Sequence, residues 1–138
     1  MSYFTIDEMC KTSTGISNIP DEGVKENLVA LVTNVLDPVR QKYGKPIKVN
    51  SGYRSKQVNA AVKGALNSQH VTGEAADISA GSPEENKKLF EIISTMNFDQ
   101  CINEFNYSWV HVSFSRKKNR KQRLEAIKSN GKTIYKQV

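Results

Sequence analysis

Asp99-Gln100-Cys101-Ile102-Asn103-Glu104-Phe105, Asn106-Tyr107-Ser108 and Trp109-Val110-His111-Val112-Ser113-Phe114-Ser115 form the stretch that decides how this chain folds. Two runs of strand-forming residues flank a short polar connection, the pattern of a β-hairpin. Alternation in the second run places Val110, Val112 and Phe114 on one face, which must be the core. Trp109, His111 and Ser113 share the opposite face. A histidine held mid-strand and turned away from the core is a rigidly mounted ligand if a partner stands near it. A lone strand histidine is more often structural, so the rest of the chain has to supply that partner.

Upstream of the hairpin, Ser82-Pro83-Glu84-Glu85 is a helix start: serine as cap, proline at the first position, glutamate at the third. Its apolar stripe runs through Leu89, Ile92, Ile93 and Met96. Ala75 to Ser79 reads as a brief buried strand, preceded by an irregular loop from Gly64 to Gly73 and a short helix over residues 55 to 64. Ile47 to Asn50 alternates like another strand. A long amphipathic helix opens at Pro20-Asp21, with Val24, Leu28, Leu31, Val35 and Val39 at spacings of three and four. Pro38 should kink it or restart it after Asp37, and Gly44 and Pro46 should end it. Thr5 to Lys11 suits one short helix. Beyond the hairpin, the turn Asn130-Gly131 predicts a last strand over Lys132 to Val138. The order of elements predicts an α+β domain spanning residues 1–138, with a small antiparallel sheet and flanking helices.

His70 and His111 are the two histidines of the chain. His70 lies in the polar loop Asn67-Ser68-Gln69-His70-Val71-Thr72-Gly73. Asp77 follows seven residues later inside the otherwise apolar run Ala75-Ala76-Asp77-Ile78. A carboxylate buried there requires a cation, which Lys, Arg or a metal could supply. His, Asp and His together offer nitrogen and oxygen ligands and leave a position open for water, the pattern of a catalytic zinc.

Composition sets the outer bounds. The chain has 138 residues, 38% hydrophobic and 25% charged, an ordinary globular mix. No run approaches the roughly 20 apolar residues of a membrane span. Met1 to Glu8 has neither a basic start nor an apolar run, so no signal peptide is expected and synthesis in the cytoplasm is. Formal net charge is +6, and Arg116 to Arg123 carries six cations and no anion. Such a run fits a polyanion, whether wall, lipid or nucleic acid, or a solvated loop. It marks residues 116–138 as a basic carboxyl-terminal segment. Cys10 and Cys101 make no Cys-x-x-Cys pair, which excludes a zinc ribbon, and they read as reduced residues rather than a disulfide.

The runs Ser51-Gly52-Tyr53-Arg54-Ser55, Asn67-Ser68-Gln69-His70 to Asp77-Ile78 and Trp109-Val110-His111-Val112-Ser113 together resemble the zinc D-alanyl-D-alanine carboxypeptidase family. Its hallmark is Ser-x-His, an Asp shortly after, and a distant Trp-x-His. The resemblance covers residues 3 to about 115 and is close to the small, single-domain members often encoded by phages and prophages as cell-wall lysins. It implies the hedgehog/DD-peptidase-like fold, Zn2+ as cofactor, and His70, Asp77 and His111 as ligands. It further implies that Arg54 stabilises an oxyanion or grips the substrate carbonyl, that Ser68 binds substrate or braces the loop, and that Trp109 contacts substrate. The general base is less direct. Many relatives carry an acid three positions before the last histidine, where this chain has Ser108. Glu104 is the nearest carboxylate, and a four-residue loop over Phe105 to Ser108 would pair it with Trp109 on the face of His111. A loop one residue longer or shorter would turn it away. Asp99 lies further back on the same strand.

The function implied is zinc-dependent hydrolysis of an amide bond in peptidoglycan stem peptides, by a carboxypeptidase or an endopeptidase. The alternative is a catalytically inactive, zinc-containing wall-binding module. The expected partner is peptidoglycan, with no nucleic acid and a monomeric chain. The expected place of action is the bacterial cell wall, after holin-type release.

Overall fold

Residues 2–138 are described by a computed structural model. Six strands form one sheet in the order β1-β2-β4-β3-β5-β6: β1 Lys48–Ser51, β2 Ala75–Ser79, β3 Gln100–Glu104, β4 Trp109–Ser113, β5 Gln122–Ser129 and β6 Lys132–Gln137. Five α-helices accompany it: α1 Ile6–Met9, α2 Glu22–Leu31, α3 Asp37–Tyr43, α4 Lys56–Ala61 and α5 Pro83–Ile93. The α+β class is as expected.

The caps explain where the helices begin. Side chains of Thr5, Asp21, Ser55 and Ser82 accept hydrogen bonds from the backbone N–H groups of Glu8, Val24, Val58 and Glu85, each satisfying a donor that the first turn leaves unpaired. Pro38 falls in the first turn of α3, so the helix restarts at Asp37 much as expected. A π-helical turn over Val32–Leu36 joins α2 to α3, and the Asp37 N–H donates to the carbonyl of Val32. Widening the helix just ahead of the proline avoids the clash its ring makes with a normal preceding turn. Gly44 then ends α3 in the left-handed conformation, at φ 80°.

Strand alternation divides the sheet between two tasks. Ala76, Ile78, Cys101, Val110 and Val112 pack into the core with Leu28, Leu31, Val35, Val39, Leu89, Phe90 and Ile93 from the helices. Asp77, Ile102 and His111 alternate with them and belong to the other face. Cys10 and Cys101 are both free thiols.

One sheet pairing departs from the antiparallel expectation: β5 runs parallel to β3. β4 already occupies one edge of β3, so the chain can only return along the other edge. It enters beside the start of β3, where Lys121 and Gln122 donate backbone N–H groups to Phe98 and Asp99. The segment 116–138 is thus mostly strand. β6 is the strand that Asn130-Gly131 predicted, with both turn residues at positive φ.

Asp99 pins this junction. Its buried carboxylate accepts from the Arg120 backbone N–H at 3.0 Å, from Arg120 Nε and Nη2 at 2.8 Å each, and from Gln69 Nε2 at 2.9 Å. Arg120 foremost lowers its pKa from the usual carboxylate value to about 2. A lowered folded-state pKa stabilises above the unfolded value near 4 and loses that contribution as pH falls from about 4 to about 2. Asp99→Asn should therefore cost roughly 2 kcal/mol at pH 7, and the gap from the parent should close across that window. Denaturant melts at pH 7, 4 and 3 check this; a constant gap would assign the effect to shape rather than charge.

Candidate metal centre

Three chain segments deliver the ligand candidates. His70 projects from the loop before β2, Asp77 from β2 and His111 from β4, and register sets Asp77 directly across from His111. Asp77 Oδ1 lies 3.3 Å from His70 Nε2 and 3.0 Å from His111 Nδ1. All three candidate ligand atoms fall within 4.8 Å of one another, a grouping that could hold a metal ion. Four ligands at zinc-like bond lengths of about 2.0–2.1 Å stand about 3.3 Å apart in a tetrahedron, so the donors are spaced for one ion.

The protonation pattern points the same way. His70 Nδ1 lies 2.6 Å from the carbonyl oxygen of Gly52. A carbonyl only accepts, so Nδ1 is the donor in that contact and Nε2 is the ring atom turned toward Asp77. Such an outer partner is what orients a metal-binding imidazole. Burial pushes the Asp77 carboxyl up, but hydrogen bonds from His111 and His70 outweigh it and hold the group below the usual range.

Gly52 is indispensable to this arrangement because of what lies behind it. A Cβ built there would sit 2.2 Å from the Met9 carbonyl oxygen and 3.0 Å from its carbon. Backbone cannot yield as a flexible side chain would, and Tyr53 N–H already donates to that oxygen at 2.8 Å. Gly52→Ala should move the carbonyl that orients His70, losing about 1–3 kcal/mol of stability and weakening metal retention about 10- to 100-fold. A melt together with competition against a chromogenic chelator reads both quantities.

Arg54 lies beside the carboxylate. Its Nη2 is 3.3 Å from Asp77 Oδ2, its Nε donates to Ser51 Oγ at 3.0 Å, and its Nη1 donates to Asn59 Oδ1 at 3.3 Å. These contacts use three of the five guanidinium N–H groups and leave two to donate elsewhere. Ser68 Oγ accepts the His70 backbone N–H at 3.2 Å, bracing the loop.

Glu104 pairs with Trp109 across the hairpin, the register that a four-residue loop requires. Its side chain is therefore on the face of His111 and lines the same cleft. Burial raises its pKa to about 7; His111 and Arg54 pull it down and Asp77 pushes it up. Trp109 Nε1 is buried and finds no acceptor among the described residues. Arg54, Ser68, His70, Asp77, Glu104, Trp109 and His111 all border one cleft of about 860 Å³. Asp99 does not: both its oxygens are held by Arg120 and Gln69.

The sequence profile of the Peptidase M15 family matches residues 2–113. The chain belongs to this family. Over 81 residues it is 41% identical to the zinc D-Ala-D-Ala carboxypeptidase of Streptomyces albus G, a match covering 57% of this chain and 32% of that relative. The chain thus spans about a third of the length of the curated relative it matches.

Two parts of this M15 peptidase site escaped sequence reasoning. Ser51 and Asn59, which position Arg54, look like ordinary loop and helix residues until the fold brings them together. The cleft also extends past the matched region, to Arg120, Gln122, Leu124, Tyr135 and Gln137. Only the pairing of β5 with β3 brings those residues to the site, and that pairing has no local signature.

Proposed function

We propose that this chain is a zinc peptidase that hydrolyses an amide bond in peptidoglycan stem peptides. The observation carrying this reading is one cleft that joins the His70–Asp77–His111 donor set to a buried carboxyl, Glu104, whose pKa lies near 7. A carboxyl poised near neutrality suits proton transfer in both directions.

Zinc bound by the three ligands would supply Lewis acidity and an acidified water. Glu104 takes the proton of the attacking water and returns it to the leaving amine. Arg54 offers its two remaining N–H groups to the carbonyl oxygen as charge develops there. Trp109 Nε1 is a donor for a substrate carbonyl, since a buried unpaired N–H gains from an acceptor. Ser68 acts on His70 rather than on substrate.

No helix among the described residues is long and apolar enough to cross a membrane. In the basic segment, Arg116 pairs with Glu26, Arg120 with Asp99 and Arg123 with Glu91. Lys117, Lys118 and Lys121 are exposed and are the cations proposed to hold an anionic wall. A lysin-like role follows from this reading.

Mass spectrometry of purified peptidoglycan digested with the zinc-loaded protein tests it. Release of terminal D-alanine supports a carboxypeptidase, and separation of stem or cross-bridge fragments an endopeptidase. Intact stems under zinc saturation would sink the peptidase reading and favour a wall-binding module.

A further inference from the structure

The matched family region stops at Ser113, but the site face of the sheet continues for two more strands. Cross-strand partners form two rows over it. Asp77, His111, Ile102, Leu124 and Gln137 are successive neighbours from β2 to β6. Trp109, Glu104, Ala126 and Tyr135 are successive neighbours from β4 to β6. Every member of both rows except Ala126 borders the cleft.

These rows give the cleft a direction and a length. Strands lie about 4.8 Å apart, so Tyr135 stands about 10 Å from Glu104, with only the Ala126 methyl between them. An extended peptide advances about 3.3 Å per residue, so that distance is about three residues. The floor beside this path is apolar, made by Ile102 and Leu124. Carboxamides flank it: Gln100 Nε2 donates to Gln122 Oε1 at 2.7 Å, and Gln137 follows on the edge strand. Tyr135 is 56% exposed, a large aromatic presented to solvent at the cleft rather than packed away.

We infer that the β5–β6 hairpin is a specificity wall: the substrate peptide lies across the strands, and Tyr135 and Gln137 engage it about three residues from the bond that is cut. The substrate class is then an oligopeptide with a small neutral side chain over Ile102 and Leu124, not an isolated dipeptide. This rests on the peptidase reading above.

Two measurements test it, with Tyr135→Ala, Tyr135→Phe and Gln137→Ala compared with the parent. In the first, kcat/KM is measured on peptide ladders extended one residue at a time on either side of the cut bond. The parent should gain about tenfold on reaching the third residue on one side, mainly through KM. Tyr135→Ala should lose that gain, and Tyr135→Phe should keep most of it if stacking is the contact. In the second, calorimetry measures the affinity of the longest peptide with its scissile amide reduced, so that cleavage plays no part. Tyr135→Ala should bind it about tenfold more weakly than the parent. Equal affinity of parent and variant overturns the wall even if the parent cuts peptides. Weakened binding with no cleavage in any ladder keeps the wall and removes the peptidase reading.

Discussion

His70→Ala and His111→Ala will each lose the one tightly bound zinc per chain that the zinc-loaded parent retains through desalting. Each substitution removes a proposed ligand whose ring nitrogen stands 3.0–3.3 Å from Asp77 Oδ1. A two-ligand remnant holds zinc far less well, and the loss should exceed the ~10–100-fold typical of deleting an outer partner. Activity should fall with metal content, because the roles proposed for Arg54 and Glu104 would require the ion. His111 is 13% exposed in its side chain and His70 only 3%, so the His70 variant also risks its loop. His111→Ala is the cleaner test. Metal analysis showing one tightly held zinc in that variant would refute the ligand assignment.

Glu104→Gln should cost ~10²–10⁴-fold in kcat, the usual loss of a general base, and leave zinc content unchanged. The amide keeps the shape and hydrogen bonding of the side chain and cannot take a proton. Glu104 is 9% exposed, and its raised pKa shows that burial opposes its charge, so the neutral amide should not destabilise the fold. Full activity would remove it from the mechanism. Asp99 would not inherit the role, since Arg120 and Gln69 hold it and keep its pKa at about 2. Loss of zinc together with activity would instead make Glu104 part of the metal's support.

What could be read from the chain was local. Ser82-Pro83, Asn130-Gly131 and the alternation of Trp109 to Phe114 carry their structures in neighbouring residues, and each formed as expected. The Glu104–Trp109 pairing was legible because a loop length fixes hairpin register. Asp77 was legible as needing a cation, but which cation was not; two imidazoles and Arg54 all meet it. β5 was obscured because Leu124 and Ala126, its buried residues, stand among charged and polar neighbours and belong to the cleft face rather than the main core. Its parallel partner is about twenty residues away, and nothing local announces it. The contact behind Gly52 and the Gln69–Asp99–Arg120 junction are equally non-local.

The loop that sets the Glu104 register depends on residues outside the hairpin. Phe105, Asn106 and Tyr107 are all left-handed, at φ 51°, 58° and 61°, and none is glycine. Such residues cost about 1–2 kcal/mol each, so the loop opposes hairpin closure and needs offsetting contacts. The offsetting contacts come partly from afar: Asn86 Nδ2 on α5 donates to the carbonyls of Tyr107 and Ser108, while Asn86 Oδ1 accepts the Ala80 N–H. These contacts tie the closed form of the loop to the presence of α5. The Glu104–Trp109 register thus leans on the helical layer as well as on the hairpin itself.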